Sequence, residues 1–379
     1  MADPVETAAA LVIIEELFDS SDDEDSSVTV PLHFGVIALS MPDERAKIRR
    51  YAEEVIPMYT DEVFRRLFRM SRDTFSVLVD FITECLDWQR HHTGGYDPIP
   101  VDKQLYVTLW YLGGTDTINK IADRFGIGEA SVIECRKRII KTILNHLKSR
   151  FIKWPSPGEM AEEADVFSQR NGFPGIIGAL DGTHIHISKP KDHPQSYFNR
   201  KGYYSIQMQA VCRHDMRLTH VFVGYPGSCH DARVLKNSDI WNNGLQLCNN
   251  TYCILADGAY PIRRWLLTPY RDNGHLGNRE RRYNHYHSSC RVVIERSFGL
   301  LKGRFRRLQN LQTSSIKTAC QIIMASSVLH NICILQKDEV SDFLEEDGDQ
   351  PNHHQPVPNI VENDAEGVLK RNIIANRLV

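Results

Sequence analysis

Two short apolar segments, each leading into an Asp-Gly pair, most constrain what this chain can fold into. Residues 175–180 precede Asp181 and residues 252–256 precede Asp257, and a glycine follows each aspartate. Apolar runs of this length, bounded by proline or glycine, are typical of buried strands. A carboxylate held at the end of a buried strand is costly unless a cation or hydrogen bonds compensate it. We therefore expect both aspartates to belong to a binding or catalytic site.

A third acid, Glu295, lies in residues 291–299, whose pattern predicts a helix. Two strand-end aspartates and one helical glutamate supply the carboxylate oxygens that Mg²⁺ prefers, alongside water and phosphate oxygens. The sequence thus predicts a divalent-metal site on Asp181, Asp257 and Glu295. The alternative is that these acids are helix caps or surface charges.

The charge of the chain is distributed unevenly, although the net charge is only −3. Residues 1–40 hold nine acids and residues 338–366 hold ten, and neither range contains Lys or Arg. Residues 41–337 hold 42 Lys or Arg against 29 acids. A basic centre suits a polyanionic ligand such as nucleic acid, although solvated surface charge would give the same pattern.

The length of 379 residues favours two domains with acidic ends. Residues 1–40 are predicted to be a mostly disordered tail, and residues 338–379 an acidic C-terminal tail. Residues 41–155 are predicted to form an all-helical domain. Residues 156–337 alternate strand and helix patterns, which predicts an α/β domain with a mixed sheet flanked by helices.

Other classes of protein are disfavoured by composition. No apolar run approaches the roughly 20 residues that a membrane span needs. The N-terminus lacks the basic region of a secretory signal. Nine cysteines without framework spacing favour reduced thiols in an intracellular protein.

Residues 117–148 have the pattern of a helix-turn-helix, with two apolar-faced helices on either side of residues 125–128. The second helix carries Arg136, Lys137 and Arg138, which predicts an edge that faces DNA phosphates. A plain helical hairpin would have much the same sequence, and both interpretations stay open.

Four short blocks follow one another along the chain. They read LDGTHI at residues 180–185, GSCHDA at 227–232, ADGAYP at 256–261 and VIERSFGLLKGRF at 293–305. Together they resemble the signature blocks of PIF/Harbinger-type transposases and of the nucleases derived from them. The resemblance covers about residues 60–336, and four blocks in the expected order are far more specific than a single Asp-Gly pair.

This resemblance implies a ribonuclease-H-like core with an Asp-Asp-Glu triad and two divalent ions, Mg²⁺ or Mn²⁺. By motif matching the catalytic triad is Asp181, Asp257 and Glu295. Asp231 matches a fourth acidic position near the metals, although it would also suit the N-cap of its helix. The block at Asp257 departs slightly from the family pattern, since Gly258 stands where serine is common, but the acid is kept.

Basic residues near these acids are predicted to contact DNA. Arginines interleaved with tyrosines separate the second and third acids, a composition that suits a groove for a nucleic-acid strand. The predicted contacts are Arg263, Arg264, Arg281 and Arg282, followed beyond Glu295 by Lys302 and Arg304. A solvated insertion is the alternative.

These features predict a metal-dependent DNA endonuclease in which water attacks a phosphodiester. In a complete transposase the freed 3′-hydroxyl then attacks target DNA. The alternative is a domesticated DNA- or partner-binding protein with vestigial chemistry. The resemblance further implies transposon-end or related DNA as ligand, a Myb-like DNA-binding partner, a homo-oligomer without membrane contact, and a nuclear location with a cytoplasmic pool.

Overall fold

The computed structural model describes residues 47–85, 98–338 and 364–378. The predicted tail of residues 1–40 lies outside them, as do residues 339–363 of the predicted C-terminal tail. Between residue 47 and residue 155, the described residues form only helices and turns.

The N-terminal half is built from helices that pack through their apolar faces. After short helical turns at Tyr51–Val55 and Ile56–Met58, these are α1 (Asp61–Phe68), α2 (Arg72–Thr83), α3 (Val101–Gly113), α4 (Ile118–Phe125) and α5 (Glu129–Thr142). Further helical turns at Ile143–Leu147 and Lys148–Phe151 continue α5. The side-chain oxygens of Thr60 and Ser71 accept hydrogen bonds from backbone amides in the first turns of α1 and α2, as N-caps do.

Helices α4 and α5 are joined by a tight turn at residues 126–128. Gly126 ends α4 with a φ of 66°, in the left-handed region that favours glycine. Ile121 and Phe125 of α4 and Val132 of α5 are buried in the common core. The two helices lie on either side of the predicted turn, and both the helix-turn-helix and its contact with DNA stay predictions.

The second half of the chain folds around a five-stranded mixed sheet. Its strands are β1 (Ile176–His186), β2 (Ser205–Cys212), β3 (Leu218–Pro226), β4 (Cys253–Leu255) and β5 (Leu266–Leu267), in the spatial order β3-β2-β1-β4-β5. The pairs β1–β2 and β2–β3 are antiparallel, whereas β1–β4 and β4–β5 are parallel. The predicted mixed sheet is confirmed, and its arrangement is consistent with a ribonuclease-H-like fold.

Helices cover both faces of this sheet. They are α6 (Pro157–Asn171), α7 (Asp231–Lys236), α8 (Asp239–Leu247), α9 (Asn278–Arg304), α10 (Ile316–Leu335) and α11 (Ala365–Arg377). Leu180 of β1 packs in a cluster with α6, α7 and α8. Its neighbour Ala179 packs in the cluster that contains α9 and α10, because successive side chains of a strand point to opposite faces.

Helix α10 corrects the prediction that no apolar run approaches membrane-spanning length. It is 20 residues long, and a window of 18 residues has a mean hydropathy of 1.5. However, 78% of that window is buried inside the protein, in contact with β3 and with the helical half. This burial identifies α10 as a core helix.

The two halves share one hydrophobic core, and a buried arginine joins them. Arg304, at the end of α9, is 1% exposed. Its Nη1 donates to the backbone oxygen of Arg69 at 2.5 Å, and its Nη2 donates to that of Asp338 at 3.1 Å. The Asp338 carboxylate lies 3.7 Å from Nη1. Arg304 therefore ties α9 to the helical half, which corrects its prediction as a DNA contact.

The C-terminal segment also differs from the predicted acidic tail, because α11 packs against the sheet. Ile374 and Ala375 are buried with residues of β4, β5 and α9. Gly367 approaches the backbone of Arg263 so closely that a Cβ would lie 2.6 Å from the Arg263 carbonyl carbon. The number of acidic residues in the C-terminal segment therefore gave no indication that part of it forms a packed helix.

Candidate active site

Asp181 and Asp257 lie side by side because β1 and β4 are parallel neighbours. The register pairs Ala179 with Leu255, so each aspartate follows two residues later along its own segment. Residues paired across neighbouring strands direct their side chains to the same face of the sheet, and the charge of Asp257 acts on Asp181. The predicted juxtaposition of the two aspartates thus follows from the strand register.

The position of Asp181 within its strand differs from the prediction. The sequence suggested that the strand ends near Asp181, but β1 continues to His186 because β2 pairs with it along that whole stretch. On its other side, β1 loses its partner after Ala179, since β4 is only three residues long. Asp181 therefore lies where the parallel ladder ends, just beyond the last residue of β1 that pairs with β4.

Helix α9 carries Glu295 and also Arg291, whose guanidinium contacts both Glu295 and Asp181. The Arg291 Nη2 atom donates to Asp181 Oδ2 at 2.7 Å and lies 3.3 Å from Glu295 Oε1. Arg291 and Glu295 are four residues apart, so they share one face of the helix. The guanidinium thus links the strand aspartate to the helical glutamate.

Negative charge that Arg291 compensates only in part marks the site. Burial, opposed by Arg291 and reinforced by Asp257, raises the pKa of Asp181 to about 6. Burial acts to lower the pKa of Arg291, but the carboxylates of Asp181, Asp257 and Glu295 outweigh it and raise that pKa above its usual value. Arg291 is therefore charged and faces several acids.

Asp231 approaches the same strand from its other face. A Cβ at Gly182 would lie 2.6 Å from Asp231 Oδ1, so any other residue at this position would displace the Asp231 carboxylate. The carboxylate accepts a hydrogen bond from Gln207 Nε2. Burial, together with the charges of Asp257 and Asp181, raises the pKa of Asp231 to about 7. The N-cap of α7 is His230, so Asp231 is its first helical residue and not the cap that the sequence allowed.

Two glutamines of β2 support this side of the site and were missed in the sequence. Gln209 Nε2 donates to the hydroxyl of Tyr260 at 3.1 Å, while Gln207 holds Asp231. The Oε1 atoms of both glutamines are buried without a hydrogen-bond partner among the described residues. The sequence did contain a sign of them, because two glutamines alternate with apolar residues in this strand. The four-residue spacing of Arg291 from Glu295 was a similar sign that these two side chains share one face of a helix.

The donor set fits a hard divalent cation. Among residues 47–85, 98–338 and 364–378, no three His, Cys, Asp or Glu side chains form a ready-made metal site. However, Mg²⁺ and Mn²⁺ prefer carboxylate oxygens as ligands. The site offers such oxygens from a strand, from a segment that follows a strand and from a helix. A cation, the Arg291 guanidinium, already lies between two of them. The assignment of Asp181, Asp231, Asp257 and Glu295 as metal ligands stays a prediction.

Among the predicted DNA contacts, Lys302 lies nearest to the aspartates. Its Nζ donates to Thr183 Oγ1 at 2.7 Å and to the backbone oxygen of His184 at 3.1 Å, both on β1. Arg281 and Arg282 are exposed on the first turn of α9. Since a helix rises 1.5 Å per residue, they lie about 20 Å along the axis from Glu295.

Arg263 and Arg264 lie away from the aspartates. Both precede β5, which runs parallel to β4, whereas Asp257 follows β4. They therefore lie toward the opposite end of these strands. Arg263 stacks 4.5 Å from the ring centre of Trp241, and Arg264 pairs with Glu366 of α11 at 3.3 Å. The structure thus does not bring these two arginines together with the acids.

The three predicted basic residues of α5 share one helix but differ in environment. Lys137 and Arg138 are exposed, and Arg138 lies 3.9 Å from Glu134 of the same helix. Arg136 is half-buried, with its guanidinium 4.8 Å from the ring centre of Tyr111. Lys137 and Arg138 are thus the better placed of the three to meet a ligand.

Comparisons with known proteins agree with this geometry. Residues 180–331 match the family described as DDE superfamily endonuclease. The candidate nuclease HARBI1 of Bos taurus is 30% identical over 282 residues, which cover 73% of this chain and 78% of that protein. The Antagonist of Like Heterochromatin Protein 1 of Arabidopsis thaliana is 27% identical over 328 residues, 80% of each chain. No solved structure matches. All three acids of the predicted triad lie inside the matched range.

Proposed function

We propose, from the premise that this chain belongs to the DDE superfamily endonucleases related to HARBI1, that it is a metal-dependent DNA endonuclease. One observation carries the proposal. The register of β1 and β4 places Asp181 beside Asp257, and Arg291 links Asp181 to Glu295 across the same face. Three acids that are far apart in sequence thus lie around Arg291, whose pKa the charges of all three raise.

In this proposal Asp181, Asp257 and Glu295 hold two Mg²⁺ or Mn²⁺ ions, with Asp231 beside them. When bound, such ions polarise a phosphodiester and lower the pKa of water so that hydroxide can attack. The chain contributes rigidity, since Asp181 Oδ1 accepts from the Gly182 amide at 2.8 Å and Asp257 Oδ1 from the Ala259 amide at 2.9 Å. A misplacement of 1 Å can cost about a hundredfold in rate, so such fixed carboxylates are required.

The proposed DNA surface has two parts. Lys302 places positive charge beside β1, and the exposed Arg281 and Arg282 extend it along α9. The helix-turn-helix formed by α4 and α5 would present Lys137 and Arg138 to a second part of the duplex. Phosphate contacts of this kind fix the position of the DNA without reading its sequence.

Family membership suggests further proposals about the wider role of the protein. They are strand transfer by the freed 3′-hydroxyl, transposon-end or related DNA as substrate, a Myb-like DNA-binding partner and assembly into a homo-oligomer. A nuclear location with a cytoplasmic pool belongs to the same set. Their support is the relationship to the endonuclease family.

One observation favours the alternative of a DNA-binding protein with vestigial chemistry. Arg291 already neutralises part of the charge on Asp181 and Glu295, so these carboxylates have a partner without any metal. In that case the protein would bind DNA equally well with Mg²⁺ and with a chelator, and it would cleave in neither.

The test is cleavage of supercoiled and end-containing DNA in Mg²⁺, with a chelator as the blank. We expect Asp181→Asn, Asp257→Asn and Glu295→Gln each to lower the cleavage rate at least about a hundredfold, because each removes a metal ligand. Matched controls are Asp80→Asn and Glu62→Gln, which change exposed helical acids of the N-terminal half. Near-normal cleavage by any of the three site variants would overturn the triad, and an inactive wild-type protein would favour the alternative.

A further inference from the structure

The Arg291 guanidinium occupies a cation position between the carboxylates of the strand and the helix. We propose that Arg291 is a built-in competitor of the divalent ion, which neutralises Asp181 and Glu295 when no metal is bound and which metal binding displaces. This inference rests on the proposed function and adds a control on when the site loads. Arg291 is thus a positioning residue, which acts on the metal site through its contacts with Asp181 and Glu295.

The contacts of Arg291 fit a displaceable cation. One nitrogen, Nη2, serves both carboxylates, at 2.7 Å from Asp181 Oδ2 and 3.3 Å from Glu295 Oε1. The Nε atom is buried and has no hydrogen-bond partner among the described residues. The parallel, two-nitrogen pairing that makes arginine–carboxylate contacts strong is therefore not formed. Within the described residues, these two acids account for the hydrogen bond and ion pairs of the guanidinium.

The charges of the site explain why a divalent ion would replace the guanidinium. Arg291 brings one positive charge close to Asp181, Asp257 and Glu295, with Asp231 on the other side of the strand. A divalent ion brings two charges and binds several carboxylate oxygens at once. An ion on Asp181 Oδ2 and a guanidinium 2.7 Å from the same oxygen would repel each other, so metal binding there weakens this contact and favours displacement of Arg291.

The contact consequently lowers the apparent affinity for metal. A hydrogen bond to a charged group contributes about 1.5–3 kcal/mol, which corresponds to roughly a 10- to 150-fold change in an equilibrium constant. The site would therefore stay unloaded at low metal concentration even though its carboxylates are already in place. Helix α9 supplies both the ligand Glu295 and the competitor Arg291, one turn apart.

The experiment is calorimetric titration of the full chain with Mn²⁺ and with Mg²⁺, without DNA. We expect Arg291→Gln to bind metal about tenfold or more tightly than the wild type. We also expect it to melt at a lower temperature than the wild type in chelator, because the acids then repel one another. Saturating Mn²⁺ should raise its melting temperature more than that of the wild type. Arg291→Lys keeps the charge and should show an intermediate affinity. Arg296→Gln, an exposed arginine of the same helix, is the matched control and should leave the affinity unchanged.

Equal or weaker metal binding by folded Arg291→Gln would overturn the inference, because a merely structural arginine would loosen the site when removed. If Arg291→Gln does not fold, an affinity of Arg291→Lys equal to or below that of the wild type would overturn it in the same way. The two proposals can fail separately. A wild-type chain that binds and cleaves normally while Arg291→Gln binds no tighter would refute only the role of Arg291, whereas a wild-type chain that binds no divalent ion would refute both.

Discussion

The titration of Asp231 shows how single residues set the energetics of this site. Its carboxylate is buried against Gly182 and lies near Asp257 and Asp181, and these surroundings raise its pKa to about 7. In the unfolded chain an aspartate titrates near pH 4. The folded state therefore binds a proton more tightly than the unfolded state. This contribution to stability is fully present below about pH 4 and is lost as the pH rises through 7.

We accordingly expect Asp231→Asn to stabilise the metal-free protein at pH 8 and to have little effect at pH 4. Each pKa unit corresponds to about 1.4 kcal/mol, and relaxation around the charge reduces the full value, so a gain of about 1–3 kcal/mol in unfolding free energy is expected at pH 8. Chemical denaturation in chelator at both pH values measures it, with Asp80→Asn as the exposed control. A variant that is no more stable than the wild type at pH 8 would show that Asp231 is compensated by groups not identified above.

Single residues also show how far the sequence predicts the site. Short motifs predicted Asp181, Asp257 and Glu295, and the structure brings the Arg291 guanidinium to both Asp181 and Glu295, while their role as metal ligands stays a prediction. The different environments of Lys302 and Arg304 could not be predicted, because both are basic residues of the same motif and lie only two positions apart. Packing directs Lys302 to β1 and Arg304 into the interface with the helical half. Such a difference depends on tertiary contacts, which cannot be predicted from the positions of basic residues in the sequence.

At the scale of secondary-structure elements, the predictions succeeded where alternation or apolar runs were long enough. Strands β1 and β4 and helix α9 lie where the apolar runs and the helical pattern predicted them. Strand β5 was missed because two residues carry no periodic signal. Helix α11 was missed because its neighbourhood is acidic, whereas its burial depends on the distant β5 and α9.

The end of α9 gives a test at this scale. Arg304→Ala should lower the free energy of unfolding by about 3–5 kcal/mol. It removes the donor to the backbone oxygens of Arg69 and Asp338, and it leaves the buried Asp338 carboxylate with Arg65, which is 3.8 Å away. DNA affinity per folded molecule should not change. The exposed Lys137→Ala should show the reverse pattern, with unchanged stability and weaker DNA binding. Thermal melts and titrations with labelled duplexes compare them, and a stable Arg304→Ala protein with weakened DNA binding would restore Arg304 as a DNA contact.

The whole molecule combines one shared hydrophobic core with a basic central region. Residues of α1 to α5 belong to the same cluster as residues of β1, β2, α9 and α10. The helical half is therefore fixed relative to the carboxylates by direct packing. A duplex that contacts both α5 and α9 would consequently meet a surface of defined shape.

Binding to DNA should depend steeply on salt, since each neutralised phosphate adds a slope of about −0.9 in log K against log salt. We expect the Arg281→Ala, Arg282→Ala double variant to weaken binding to end-containing and scrambled duplexes equally, because phosphates carry no sequence information. The Lys137→Ala, Arg138→Ala double variant should likewise weaken both duplexes equally, whereas a larger loss for end-containing duplexes would show that α5 reads bases. Competition binding at fixed salt measures both. Unchanged binding in both double variants would leave the helical half without a role in DNA contact.

The most direct test of the central claim, that these carboxylates hold a catalytic divalent ion, is metal-specific rescue at Asp257. A thiolate binds the softer Mn²⁺ better than Mg²⁺, which requires oxygen ligands. Asp257→Cys should therefore be inactive in Mg²⁺ and regain measurable DNA cleavage in Mn²⁺. Asp257→Ser, which has similar size but no thiolate, should stay inactive in both metals. Cleavage by Asp257→Cys that is equal in Mg²⁺ and Mn²⁺, or that Asp257→Ser reproduces, would contradict the assignment of Asp257 as a metal ligand.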